Sequence, residues 1–148
     1  MDAIKITSEI ELKKAFSIRK EVFVEEQGVP LEDEFDEFDT LEGSALHILV
    51  YYQDKAVGTG RIRWVGGVGK LERICILKPY RQFGLGKVII GALETIAKEQ
   101  ETSQVKLHGQ TQAEGFYKKL GYYVASDVFM EDGIPHLLMK KELFAESL

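Results

Sequence analysis

A chain of 148 residues, 45% hydrophobic, predicts one compact domain over residues 1–148 with a real core. A single cysteine, Cys75, excludes an intramolecular disulfide framework, and no apolar run is long enough to span a bilayer, so a cytoplasmic protein with no membrane partner is expected. The net charge of −5, with no extended basic face, argues against nucleic-acid binding and favours a cationic partner such as an amine.

Ile4–Lys5–Ile6 reads as a short first strand. Ser8 followed by Glu11 forms a capping-box start for a helix running to about Phe23, with Leu12, Ala15, Phe16, Val22 and Phe23 as its apolar stripe. Residues 25–43 are acidic with interleaved apolar residues and read as a loop and short helix laid on the body. Leu46–Tyr52 and Ala56–Val65 are predicted strands around a turn at Gln53–Asp54–Lys55. A second turn at Val65–Gly69 leads into a strand over Leu71–Leu77. From Leu85, the spacing of Leu85, Ile89, Leu93 and Ile96 marks one face of an amphipathic helix. A strand at Gln104–Gly109 and a short helix over Ala113–Leu120, stopped by Gly121, follow. Tyr122–Val124 and His136–Met139 close the chain, separated by an excursion through Gly133–Ile134–Pro135. This order predicts an α/β (α+β) fold whose mixed central sheet has about six to seven strands and about four flanking helices, with a parallel crossover at Arg81–Gly86.

That crossover is the most informative stretch. Gly84 and Gly86 remove Cβ atoms from a turn that opens a helix, where unpaired N–H groups meet the positive end of the helix dipole. Such a turn receives a phosphate or pyrophosphate, with Arg81 and Lys87 adding positive charge. A dinucleotide fingerprint is excluded because Ile89 stands where its third glycine would fall, and a P-loop because Val88 follows Gly86–Lys87. The pattern Arg81-x-x-Gly84-x-Gly86 resembles the pyrophosphate loop of the GCN5-related N-acetyltransferases (GNAT). Phe116–Tyr117–Lys118–Lys119–Leu120–Gly121–Tyr122 resembles a second GNAT signature, at the separation that fold requires. Val22–Gln27 and Gly133–His136 are similar to the ElaA-like branch of the family.

The resemblance implies acetyl transfer from acetyl-CoA to an amine by direct attack, with no metal; no Cys/His cluster has metal-ligand spacing either. It implies cofactor contacts from the main chain of Ile74, Cys75 and Ile76 and from the loop Arg81, Gln82, Phe83, Gly84, Leu85, Gly86 and Lys87. Phe116, Tyr117 and Gln110 complete the cofactor set, Gln110 standing where many family members have asparagine. Tyr117 is placed as the acid for the departing thiolate. The Gln82–Phe83 pair is bulkier and less basic than the family usually carries there.

Glu72, a lone carboxylate among apolar residues, is a candidate base or an ion-pair partner of Arg73 or Arg61. Glu25, Gln27, His108 and His136 are candidate acceptor-site residues, the histidines doubling as candidate bases. Arg19 lies on the apolar side of its helix, with Glu25, Glu34, Asp36 and Asp39 as partners; the same carboxylates would attract a cationic amine. Cys75 reads as an inert core residue. Two alternatives remain: a non-catalytic acyl-CoA sensor, and a protein like the acyl-homoserine-lactone synthases, which Arg19–Phe23 with Glu34, Asp36 and Asp39 resemble. An exposed C-terminal strand leaves pairing across a homodimer open.

Overall fold

The computed structural model, which describes residues 2–144, begins with β1 (Asp2–Lys5), α1 (Glu9–Arg19), a π-helical segment (Lys20–Glu26) and α2 (Leu31–Glu34). It continues through β2 (Leu46–Tyr52), β3 (Lys55–Val65), β4 (Val68–Ile76), α3 (Leu85–Glu99) and β5 (Gln104–Gln110). It closes with α4 (Glu114–Lys119), β6 (Tyr123–Val124), β7 (Phe129–Glu131) and β8 (Ile134–Glu142). The mixed α/β architecture is the expected one, with eight strands in a single sheet of order β1-β2-β3-β4-β5-β8-β6 and β7 also on β8. All neighbours are antiparallel except β4 and β5, which the α3 crossover joins. Among the described residues no helix is long and apolar enough to cross a membrane.

Both early hairpins turn on paired left-handed residues, Gln53–Asp54 and Gly66–Gly67, whose twist matches that of the flanking strands. The second turn is tighter than expected, so β4 begins at Val68. Its first residues supply the whole parallel ladder to β5. α3 buries its predicted face, with Leu85, Ile89 and Leu93 fully inaccessible. It lies close over β3 because Gly60 has no side chain: a Cβ there would stand 2.8 Å from Ile89 and 3.0 Å from Leu93. Alternation along β3 turns Arg61 to the opposite face, toward α1 and the 30–43 segment.

The capping box forms: Ser8 Oγ accepts from the Glu11 N–H, and the Glu11 carboxylate accepts from Thr7. The first helix then departs from expectation. After Arg19 the chain widens into π-helix, closed by Gln27 N–H to Val22 O at 3.1 Å and Val29 N–H to Phe23 O at 2.9 Å. The wider turn adds about one residue per turn and shifts the phase of the apolar stripe. The C-terminal excursion is a hairpin, β7–β8, turning at Asp132–Gly133. β8 is therefore interior, flanked by β5 on one side and by β6 and β7 on the other, and is not the free edge that was expected.

Two glycine substitutions test this packing. Gly60→Ala forces a methyl group against Ile89 and Leu93 and costs about 1–3 kcal/mol. Gly91→Ala, on the exposed side of α3 with nothing within 4 Å, stabilises by about 0.5–1 kcal/mol. Urea denaturation of the two variants should move in opposite directions.

Candidate active site

β4 and β5 pair through only three positions, Gly69↔Val105, Lys70↔Lys106 and Leu71↔Leu107. Beyond them the strands part, and a cleft of about 760 Å³ lies between them. Along it the edge of β4 from Glu72 to Ile76 has no strand partner on its β5 side. The same stretch carries a bulge: register passes from Thr59↔Cys75 to Arg61↔Glu72, and Arg73 adopts left-handed φ 57°.

One end of the cleft is built on the glycine turn. Gly84 sits at φ 72° as the N-cap of α3, and no side chain caps the helix. Its first N–H groups are thereby left for a ligand. Phe116 lies over Gly86, where a Cβ would stand 3.0 Å from the ring, and Tyr117 lies equally close over Gly109. The two motifs recognised separately in the sequence thus interlock.

Arg81, Gly84, Gly86, Gln110, Phe116 and Tyr117 all line the cleft, as do Ile74, Cys75 and Ile76 on the opposing strand. Four other loop residues do not. Leu85 is core, the Phe83 ring stacks on Tyr52 at 4.5 Å, and Gln82 and Lys87 are exposed. Phe83 anchors the loop by its side chain, which explains its bulk.

Arg81 is not a free cation. Its guanidinium grips Glu26 with two bonds of 2.6 and 2.7 Å, and its Nε donates to the Ile76 carbonyl. The hydrogen bond to Glu26 raises the pKa of that guanidinium above its ordinary value. One residue on, Gln27 accepts from Gln110 across the cleft. The end of the π-segment therefore touches both the glycine turn and β5.

Tyr117 packs edge-on to Phe116 and Tyr122. Burial pushes its phenol up to about 12, so it stays protonated at neutral pH. Its hydroxyl makes no hydrogen bond to another of the described residues, in contrast to Tyr122, whose hydroxyl donates to Glu94. Cys75 is buried, and that burial holds its thiol far above the ordinary range, which agrees with an inert core role.

At the other end, His108 and His136 both approach Glu131: His108 Nδ1 at 2.8 Å and His136 Nε2 at 3.7 Å. The bond to His108, outweighing partial burial, keeps the Glu131 carboxyl below its usual range. No motif marks Glu131; the three-residue β7 puts it there by pairing with β8.

Glu72 resolves toward the ion-pair alternative. Its carboxylate meets Arg61 at 2.7 Å, Arg63 at 2.6 Å and Lys70 at 3.3 Å, and not Arg73. Burial raises its pKa, but Arg61 and the other cations win and hold it low, so it is a poor proton acceptor. Arg19 is buried as expected and takes Glu34 and Asp39, whereas Asp36 goes to Arg61 and Arg73. Glu25 is exposed and lies outside the cleft lining. Of the carboxylates expected to attract a cationic amine, Glu34, Asp36 and Asp39 are thus already matched by arginines.

The family that the two motifs resemble is shown by kinship. Residues 9–143 match the acetyltransferase (GNAT) domain family. The inferred acetyltransferase BSU40680 of Bacillus subtilis (strain 168) is 68% identical over 142 residues, 96% of this chain and 97% of its own. ElaA of Escherichia coli is 30% identical over 90% of this chain and 88% of its own. The ElaA crystal structure superposes with a TM-score of 0.83, covering 95% of this chain and 99% of that one. An aminoglycoside 6′-N-acetyltransferase solved with coenzyme A superposes with a TM-score of 0.77 at 12% identity, over 99% of each chain, a likeness of fold. A mixed sheet parted between two parallel strands, with a glycine turn at the parting, is here the sheet of a GNAT-fold protein. The chain belongs to the GNAT acetyltransferase family and is a homologue of ElaA.

The ion network yields a pH test. Burial pushes the Asp39 carboxyl up, but Arg19 and Arg61 pull it from 3.8 to about 2. A carboxyl lowered on folding contributes stability in full above about pH 4, and that contribution is lost as pH falls toward 2. Asp39→Asn should cost about 3–5 kcal/mol at pH 7 and flatten the acid limb of stability between pH 4 and 2, read by urea denaturation across that range.

Proposed function

We propose that the protein is an acetyl-CoA-dependent N-acetyltransferase that passes an acetyl group directly to a primary amine. The parting of β4 from β5 carries this reading, because it alone joins an unpaired strand edge, an uncapped helix end and a buried phenol in one cleft. Coenzyme A fits these features. A pantetheine arm can lie along Ile74–Ile76 as an added strand, and a pyrophosphate can meet the main chain of Gly84–Lys87, where Gly84 leaves open space. Arg81, Gln110 and Phe116 border the same path, whereas Gln82 and Phe83 stand outside the cleft lining.

Acetyl-CoA would supply the acetyl group as an activated thioester. Tyr117 keeps its phenolic proton at neutral pH and lines the cleft, as an acid for a leaving sulfur must. His108, oriented by Glu131, is the acceptor-side group best placed to take a proton from an incoming amine, with His136 beside it. Glu72 serves in this reading as the counter-ion that fixes Arg61, Arg63 and Lys70.

Two measurements test the proposal. Tyr117→Phe should lower kcat about 100-fold across an amine panel while acetyl-CoA affinity stays within about twofold. Turnover near the wild-type rate would sink the acid assignment. Glu26→Gln should free Arg81 and tighten acetyl-CoA binding about two- to fivefold in calorimetry. Unchanged affinity would mean that Arg81 does not meet the phosphates.

A further inference from the structure

On the acceptor side of the sheet, Arg63 of β3 pairs in register with Lys70 of β4, Lys70 with Lys106 of β5, and Lys106 with Lys140 of β8. Residues paired in this way share a face, so four cations stand in one row across four adjacent strands. Like charges directly opposed across strands oppose pairing. The opposite face at this level is sealed by Leu71, Val105, Leu107 and Met139. Arg63 and Lys70 share the single carboxylate of Glu72. Among the described residues, Lys106 and Lys140 have no carboxylate within ion-pair distance. Glu142, next along that face, is engaged by Gln104 and Tyr123.

The row adjoins the acceptor end of the cleft. Lys70 lines it, and the Lys70 charge helps to hold the Glu131 carboxyl low. His108 follows Lys106 by two residues on β5, which puts the two on the same face with Cα atoms about 7 Å apart.

Resting on the N-acetyltransferase reading, we propose that the acceptor is a small amine that also carries an anionic group, a carboxylate or a phosphate. The anion sits on Lys70 and Lys106 with Lys140 behind them, and the amino group faces His108 and Glu131. The spacing suits an amine and an acid separated by two to four bonds. An acceptor of this kind removes the repulsion along the row, whereas a simple cationic amine adds to it.

Calorimetry separates the two readings. Coenzyme A is titrated first; failure to bind overturns acetyl transfer and leaves the row to be judged separately. Propylamine, 3-aminopropanoate and 2-aminoethyl phosphate are then titrated with and without coenzyme A. One of the acidic amines should bind about tenfold more tightly than propylamine, and which one distinguishes carboxylate from phosphate. Lys106→Gln should remove about tenfold of that affinity, leave coenzyme A binding unchanged, keep or raise propylamine affinity, and keep or raise the thermal midpoint of the ligand-free protein. Propylamine binding as tightly as both acidic amines, or acidic-amine affinity within twofold of wild type in both Lys106→Gln and Lys140→Gln, overturns the proposal.

Discussion

Three residues of parallel pairing, Gly69–Leu71 against Val105–Leu107, hold β4 to β5, and everything chemical in the molecule follows from their letting go. A parallel ladder that continued would bury the β4 edge and close the cleft. It stops where β4 bulges at Arg73, and the bulge persists because its side chain is tied to Glu34 and Asp36. A non-glycine residue in the left-handed region costs on the order of 1 kcal/mol. The Arg73 guanidinium's contacts with Glu34, and its longer pair with Asp36, hold it there.

Those contacts belong to a wider network that joins Arg19, Arg61, Arg63, Lys70 and Arg73 to Glu34, Asp36, Asp39 and Glu72. Buried ion pairs are weak sources of net stability, because desolvation consumes much of the attraction. Glu34 illustrates this: burial holds its carboxyl above the ordinary range even with two guanidinium groups against it. The network instead fixes position. Arg61 and Arg19 pin the 30–43 segment over β3, and Arg73 clamps that segment to the bulge. Replacing the network by apolar residues would keep a core but would free the cleft wall.

Where the sequence was legible, one local pattern determined the outcome. Leu85, Ile89, Leu93 and Ile96 recur with the helical period and are buried. Gly84 and Gly86 announce a helix start with no side-chain cap, and Phe116–Tyr117 follow at the distance that lets their rings cover Gly86 and Gly109. Where it was not, the decisive partner lay far along the chain or the element was too short to carry a period. Arg81 reads as a free phosphate ligand until Glu26, 55 positions earlier, is seen to hold it. Glu131 belongs to a three-residue strand with no alternation to detect. The π-segment imitates a continued α-helix in apolar spacing, because one extra residue per turn shifts the stripe without erasing it.

Charge shows the same limit most clearly. A net charge of −5 points to a cationic acceptor, yet it sums over positions the fold keeps apart. In the 30–43 segment Glu34, Asp36 and Asp39 are spent on the buried Arg19 and Arg61, and Glu26 is spent on Arg81. What remains near His108 is a row of lysines drawn from three strands and spaced 36 and 34 residues apart, visible only once β4, β5 and β8 are in register. The field an acceptor meets is set by cross-strand pairing within a Debye length of about 8 Å, not by composition. The same pairing that opens the cleft therefore also sets the sign of the charge beside it.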